Sequence, residues 1–529
     1  MESNHSGDGN VGTGSDRLDV YEQPDRAAER GKVATDKYGA SLIQFDPVAE
    51  RTLRLKIDLY VVPTVATLYL FCFIDRTNFG AYLLAALKMA QDKPGLGLRI
   101  SPDALEGLEG TVERNARIAG MERDLQLKGY NYNEIISYFY LSYALFEIPC
   151  NLLCKHVGPG WFLPIATILF GVASLATAYV NNYAQMSGVR FLLGIFEAGM
   201  LPGCAYYLSR WYRRSELAFR LALFIVTAPL AGAFGGLLAS AILRLDSFAG
   251  LHAWRMIFAI EGIITIITAR WLSKEEKALA VARVKSERVG QTVVLDKIDK
   301  KKLVRGITSP VTLSTSFVFL LNNITVQSFA FFLPSVVKTI YGKETVVRQQ
   351  LLSAPPYLLG AVFMIPFPLM SWRMDRRQIF IIFSAPLVMV GYSMFLGSES
   401  SSVRYAATFL IAMSTFTNGA MTNAQVSANV VSDTARSAAI GANVMMGNIG
   451  GLISSWVFLP WDAPNYHVGN GLNLVAASMI FVVSILTLFW MNWDNEQRAR
   501  RDVDGELHGL TKKEIEDLDW KHPAFKWKP

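Results

Sequence analysis

Between Arg190 and Arg220 an apolar segment carries two ionisable residues, Arg190 and Glu197, among glycines and prolines, then ends in Arg210, Trp211, Tyr212, Arg213 and Arg214. An ionised side chain at the centre of a bilayer costs about 2.5–3.5 kcal/mol on insertion scales, so such residues face a partner or a water-filled path. The first reading is a carrier. Arg190 and Glu197 are seven residues apart, close to two turns of helix, which puts them on one face but about 10 Å apart along the axis. That is too far for simple mutual pairing. Glu197 is the proton-carrier candidate, because the proton affinity of a carboxylate there would depend on whether Arg76 or a bound anion lies near it, and that dependence couples protonation to substrate. Arg190 reads equally as a structural charge near the external end of its helix. Asp75 and Arg76 are adjacent and point about 100° apart on a helix, so one can meet a neighbouring helix while the other faces a cavity.

These residues need apolar elements to hold them, and the composition supplies them. The 529 residues are 51% hydrophobic and 18% charged, and mean hydropathy is +0.27. The apolar residues gather into segments near the roughly 20 residues that cross a bilayer, separated by polar or Gly/Pro-marked breaks. Twelve such segments are read, at about 58–82, 133–153, 161–180, 186–208, 219–243, 254–272, 310–334, 350–370, 379–397, 404–429, 437–459 and 472–492. The expected fold is an all-α membrane protein of twelve transmembrane helices in two six-helix halves. Residues 1–56 read as a disordered cytosolic leader without a cleavable signal peptide. The N-terminal half then spans 57–272 with an external insertion at about 88–132, a cytosolic connector spans 273–309, the C-terminal half 310–493 and a cytosolic tail 494–529.

Loop charge sets the orientation, because short cytoplasmic loops concentrate Lys and Arg. Arg210, Arg213, Arg214 and Arg220 surround one turn, Arg373, Arg376 and Arg377 another, and Lys300, Lys301, Lys302 and Arg305 follow segment six. The loop Val180-Asn181-Asn182-Tyr183 has no charge. Both termini are therefore expected in the cytosol, and the net charge of +7 follows from this inside bias rather than from nucleic-acid binding. The four cysteines, Cys72, Cys150, Cys154 and Cys204, all fall in apolar segments, where they read as packing residues rather than a disulfide framework or zinc site. No phosphate-binding Gly-x-x-x-x-Gly-Lys-Ser/Thr loop occurs, and neither an enzyme nor a cofactor or metal site is expected.

Asp75-Arg76-Thr77-Asn78, the run Phe146-Glu147-Ile148-Pro149 followed by Asn151-Leu152-Leu153, and the Arg190 to Arg220 block resemble the anion:cation symporters of the major facilitator superfamily, closest to the fungal allantoate permease branch. Glu197-Ala198-Gly199, Pro202-Gly203, Trp211-Tyr212, Trp254-Arg255 with Glu261-Gly262, Gly447-Asn448-Ile449-Gly450-Gly451 and Asp462-Ala463-Pro464 follow that branch's order. The likeness extends from about Lys56 to Trp493. One departure is the loop Lys155-His156-Val157-Gly158-Pro159-Gly160-Trp161, which lacks the acid of the acidic-basic gating motif and has Gly160 where the branch often has Arg. Its counterpart Asp375-Arg376-Arg377 reads either as a clamp onto a neighbouring helix or as a solvated positive turn.

The resemblance implies proton coupling for Asp75 and anion binding for Arg76, whose planar fork donates two parallel hydrogen bonds to a carboxylate. The competing reading is a structural ion pair that fixes segment one. Glu147 and Glu261 read as structural partners. Asn322, Asn323 and Gln327 in segment seven, and Asn418, Asn423, Gln425 and Asn429 in segment ten, read as cavity amides or as interhelical hydrogen-bonding groups, with Asn423 assigned to the cavity. The implied function is a permease in the plasma membrane, a symporter of protons and a small organic anion such as a vitamin, ureide or sugar acid, acting as a monomer in the lipid bilayer. An exporter of an acidic secondary metabolite and a non-transporting nutrient receptor are the alternatives.

Overall fold

A computed structural model of the chain describes residues 47–78, 121, 124–127, 130–209, 211–212, 214–233, 254–268, 299–341, 346–458, 462 and 465–529. The regular elements among them are helices: α1 (Pro47–Asn78), α2 (Asn131–Val157), α3 (Pro159–Thr177), α4 (Tyr183–Glu197), α5 (Met200–Ser209), α6 (Arg214–Ile225), α7 (Trp254–Thr268), α8 (Lys300–Ile307) and α9 (Pro310–Ile340). The series continues with α10 (Val346–Phe363), α11 (Pro366–Met374), α12 (Gln378–Gly397), α13 (Ser401–Thr415), α14 (Thr417–Ala428), α15 (Asp433–Ser454), α16 (His467–Ala499), α17 (Val503–Leu507) and α18 (Lys512–Asp517). Each of the twelve apolar segments read from the sequence is mainly helical where it is described. Among the described residues six helices are long and apolar enough to cross a membrane, or seven if the bent pair Lys300–Ile307 and Pro310–Ala330 is one span. The protein is an all-helical, multi-pass membrane protein.

Several spans are broken, and the prolines explain where. Pro202 lacks the N–H that would bond the Ala198 carbonyl, and the span Tyr183–Ser209 breaks into α4 and α5 at Ala198 and Gly199. Pro229 does the same one turn beyond α6, where the helix turns at Val226 before continuing to Ala233. Pro366 opens α11 after α10 ends at Phe363. The break between α13 and α14 falls at Phe416 without a proline.

Small residues set how close the helices come. A Cβ at Gly194 would lie 2.4 Å from the Phe139 carbonyl oxygen, and one at Gly450 would lie 2.3 Å from that of Leu320. These two positions let α4 pack on α2 and α15 pack on α9 backbone to backbone. α15 also runs along α2, and α6 packs on α14 and α11, so both sets of contacts join the two halves.

The segment boundaries differ in two places. α1 begins at Pro47, inside the stretch expected to be leader, and α16 runs to Ala499 beyond the expected end of segment twelve. The tail after it folds back onto the bundle, with Phe525 and Trp527 buried against Val311, Val431 and Met491. Residues 1–46, most of 88–132, and 273–298 lie outside the described residues, although Met121 and Leu125 of the insertion are buried in the core.

Candidate substrate and proton site

A cavity lies between the halves, at mid-length of the bundle. Tyr69 and Phe73 of α1, Leu201 of α5, and Ile225 and Ala228 of the fifth span form an apolar side. Asn322, Asn323 and Gln327 of α9, Asn423 of α14 and Asn448 of α15 form an amide side, joined by Phe319 and Phe416. The helical period places these amides. Asn323 and Gln327 are one turn apart on α9, and Gly419 and Asn423 one turn apart on α14.

The amides are held before any ligand arrives. Asn418 donates to Asn322 at 3.3 Å and accepts from Ser384 at 2.8 Å. Asn423 donates to the Gly419 carbonyl at 2.8 Å and accepts from Asn443 at 3.2 Å. Asn448 reaches across the halves and donates to Glu147 Oε2 at 3.0 Å. Glu147 is fully buried on α2, so a group lining the cavity also forms part of the contact between the halves. Such fixed amides offer donors and acceptors in set directions.

Glu197 is fully buried at the end of α4 and accepts a hydrogen bond from the Cys72 thiol at 3.3 Å. Cys72 thus does more than fill space. The side chains of Asp75 and Arg76 lie outside the described residues, but both positions belong to α1. Helical register sets position 76 seven residues after Tyr69 and three after Phe73, on the cavity stripe, and position 75 three residues after Cys72, on the stripe that meets Glu197.

The remaining residues singled out from the sequence lie elsewhere. Arg190 is buried, with its guanidinium 5.1 Å from the centre of the Phe258 ring of α7. Glu261 is buried on the same helix, α7. Asp375 caps α11 in the left-handed region at φ 50° and pairs with Arg377 at 2.9 Å, whereas Arg376 is exposed. The Asp375 turn is bonded to the tail, through Lys528 at 3.0 Å. Gln425 and Asn429 point away from the cavity and donate to the Lys528 carbonyl, each at 3.1 Å. The four described cysteines are free thiols, and no cluster of His, Cys, Asp or Glu among the described residues could hold a metal ion.

The end predicted to face the cytosol is closed by contacts that the sequence reading missed. Lys155 of α2 hydrogen-bonds Thr434 and pairs with Asp433 at 3.5 Å, and the Tyr206 hydroxyl donates to Asp433 at 2.8 Å. Asn151 donates to the Ser437 carbonyl at 2.6 Å, and Arg436 to that of Ser209 at 3.4 Å. Nearby, Arg220 forms a two-pronged pair with Asp58 at 2.9 and 3.1 Å and lies 4.3 Å from the centre of the Trp372 ring. At the opposite end Asn133 donates to the Ser455 carbonyl at 2.8 Å and Trp456 to Ser137 at 2.9 Å. The signal for the first cluster was an acid, Asp433, opening an apolar segment opposite a basic loop.

Two helical halves around a central cavity with one apolar and one amide side, bridged at both ends, are the architecture of an alternating-access carrier. The profile of the Major Facilitator Superfamily matches residues 66–455, and the chain belongs to that superfamily. It is similar to an uncharacterized transporter of Schizosaccharomyces pombe, 28% identical over 93% of this chain and 95% of that one. It is likewise similar to the high-affinity nicotinic acid transporter of Saccharomyces cerevisiae, 28% identical over 91% of this chain and 85% of that one. A third relative is the MFS transporter prlL of a fungal species, 30% identical over 87% and 91%. The chain is a membrane transporter of a small molecule, not an enzyme.

Proposed function

We propose that this transporter is a proton-coupled symporter of a small organic anion, a carboxylate such as a vitamin, ureide or sugar acid, of the anion:cation symporter type and the allantoate permease-like branch. The observation that supports this reading is the register of α1, in which position 76 follows the cavity-lining Tyr69 by seven residues and position 75 follows Cys72, whose thiol bonds Glu197, by three. Arg76 holds the carboxylate, while Asp75 and Glu197 hold the proton. The amides of Asn322, Gln327 and Asn423 bond the rest of the substrate, and the aromatic side of the cavity favours a flat body. The similarity to a nicotinic acid transporter supports a carboxylate. The plasma membrane is the expected site of such uptake.

An inside-negative potential opposes influx of a monoanion by about 2.3 kcal/mol per 100 mV, and one co-transported proton cancels that charge. Labelled uptake of a panel of carboxylates in a transport-deficient fungal strain tests the proposal. At least one should accumulate, faster as external pH falls toward about 5, because one proton per anion removes the opposing charge. Undiminished pH-driven accumulation by the Asp75→Asn, Glu197→Gln double variant would overturn the proton assignment.

A further inference from the structure

The end of the segment after α16 is hydrogen-bonded back to the bundle, and Asp519 within it meets the loop that opens α15. Arg498 of α16 donates to the carbonyls of Trp520 and His522 at 3.0 and 3.1 Å. Trp527 donates its indole N–H to Asp494 at 2.6 Å, and its backbone N–H to Asn495 at 2.8 Å. The Trp520 indole donates to the Arg305 carbonyl of α8 at 2.9 Å. Held this way, Asp519 is buried, and its two carboxylate oxygens accept from the backbone N–H groups of Val431 at 3.0 Å and Ser432 at 2.8 Å.

Ser432 is the N-cap of α15, where its own hydroxyl accepts from the Ala435 N–H at 3.1 Å. The next residues, Asp433, Thr434 and Arg436, are the C-terminal half's share of the closure with Lys155, Tyr206 and Ser209. The carboxylate thus fixes the two peptide groups immediately before the closing residues. We infer that Asp519 is a positioning residue for the cytosolic gate: it orders the start of α15 so that Asp433 and Thr434 meet Lys155, and thereby favours the state closed to the cytosol. The inference rests on alternating access and on the cytosolic orientation of this end, and not on which anion is carried.

The backbone of Asp519 makes the test clean. Its φ of 51° lies in the left-handed region, which glycine and asparagine adopt readily. Asp519→Gly removes both acceptors without adding strain, and Asp519→Asn keeps one carbonyl acceptor. The probe is a cysteine at Gly419, which lines the cavity with its nearest neighbours 3.9 Å from a Cβ. Labelling by an impermeant maleimide is followed from the cytosolic face in inside-out vesicles and from the external face in intact cells, against the parent lacking the added cysteine.

Asp519→Gly should label about three- to tenfold faster from the cytosolic face, in keeping with the worth of a side-chain acceptor at a helix start, and more slowly from outside. Asp519→Asn should fall between that variant and the parent. In a Lys155→Ala background Asp519→Gly should add little, since both act through Asp433. A rise at both faces would mean general loosening and would overturn the assignment, as would unchanged rates at both. If Asp519→Gly does not reach the membrane, Asp519→Asn decides by the same opposed shifts. Because the readout needs no substrate, failure of the anion proposal leaves it intact.

Discussion

The proposed symport gives Arg76 and Glu197 each a task that its nearest chemical relative cannot perform. A lysine at position 76 keeps the charge but loses the fork, so it forgoes one charge-assisted hydrogen bond of about 1.5–3 kcal/mol. Arg76→Lys should therefore raise the half-saturating concentration roughly 10- to 100-fold, and Arg76→Ala should abolish saturable uptake, both measured by radiolabel influx. Wild-type affinity in an Arg76→Ala protein that reaches the membrane would remove Arg76 from the site. In the proposed symport Glu197 loads and releases a proton, which an amide cannot. Glu197→Gln should end proton-driven accumulation yet spare substrate exchange in preloaded vesicles, which needs no net proton movement, and loss of both would make Glu197 structural.

Among the elements, α15 is the most constrained, pressed against α9 on one side and α2 on the other. Adding a methyl at Gly450 drives it toward a carbonyl 2.3 Å away that cannot rotate aside. Gly450→Ala should cost about 1–3 kcal/mol and lower the unfolding temperature of the purified protein. Gly471→Ala, where nothing lies within 4 Å, should not, and equal melting of the two would refute the close approach.

The tail is a second element with its own dependence on pH. Burial, and next the Arg498 charge, hold the pKa of His522 below the usual imidazole value. The docked tail therefore binds fewer protons than the released one, and its docking is complete above about pH 6.5 and weakens as pH falls through that value and below it. A spin label at Leu510 should become more mobile between pH 7.5 and 5.5, and His522→Gln should flatten that response. Unchanged mobility over the same interval in the parent would exclude the imidazole as the cause.

At the scale of the whole molecule, the clustered Lys and Arg predict which end faces the cytosol. A cysteine at Gly107 should be labelled by an impermeant thiol reagent in intact cells and one at Ser286 should not, and the reverse pattern would invert the topology. The buried pair of Lys155 and Asp433 ties the halves at the end placed inside. Removing one member of a buried pair costs about 3–5 kcal/mol in the state that contains it. Lys155→Ala should accordingly populate the form open to the cytosol and weaken apparent substrate affinity from outside, measured by influx at increasing concentration.

The sequence by itself determined the membrane class and the positions of the twelve apolar segments. These follow from hydropathy, which is a local property of a segment. It also picked out Glu197 and the cavity amides Asn322, Gln327 and Asn423, because polar groups in apolar runs are costly and so conspicuous. It assigned Asn423 to the cavity and left Gln425 and Asn429 open between cavity and interhelical roles: Asn423 lines the cavity, while Gln425 and Asn429 bind the tail. All three are amides in or at the end of α14, and the neighbours brought in from residues 443 and 528 separate them. The closure of Lys155 on Asp433, the Cys72 thiol on Glu197 and Asp519 beneath the start of α15 join residues 278, 125 and 87 or 88 positions apart. Such pairings depend on how helices are placed in space, which no local pattern encodes, and the tertiary structure alone decided them.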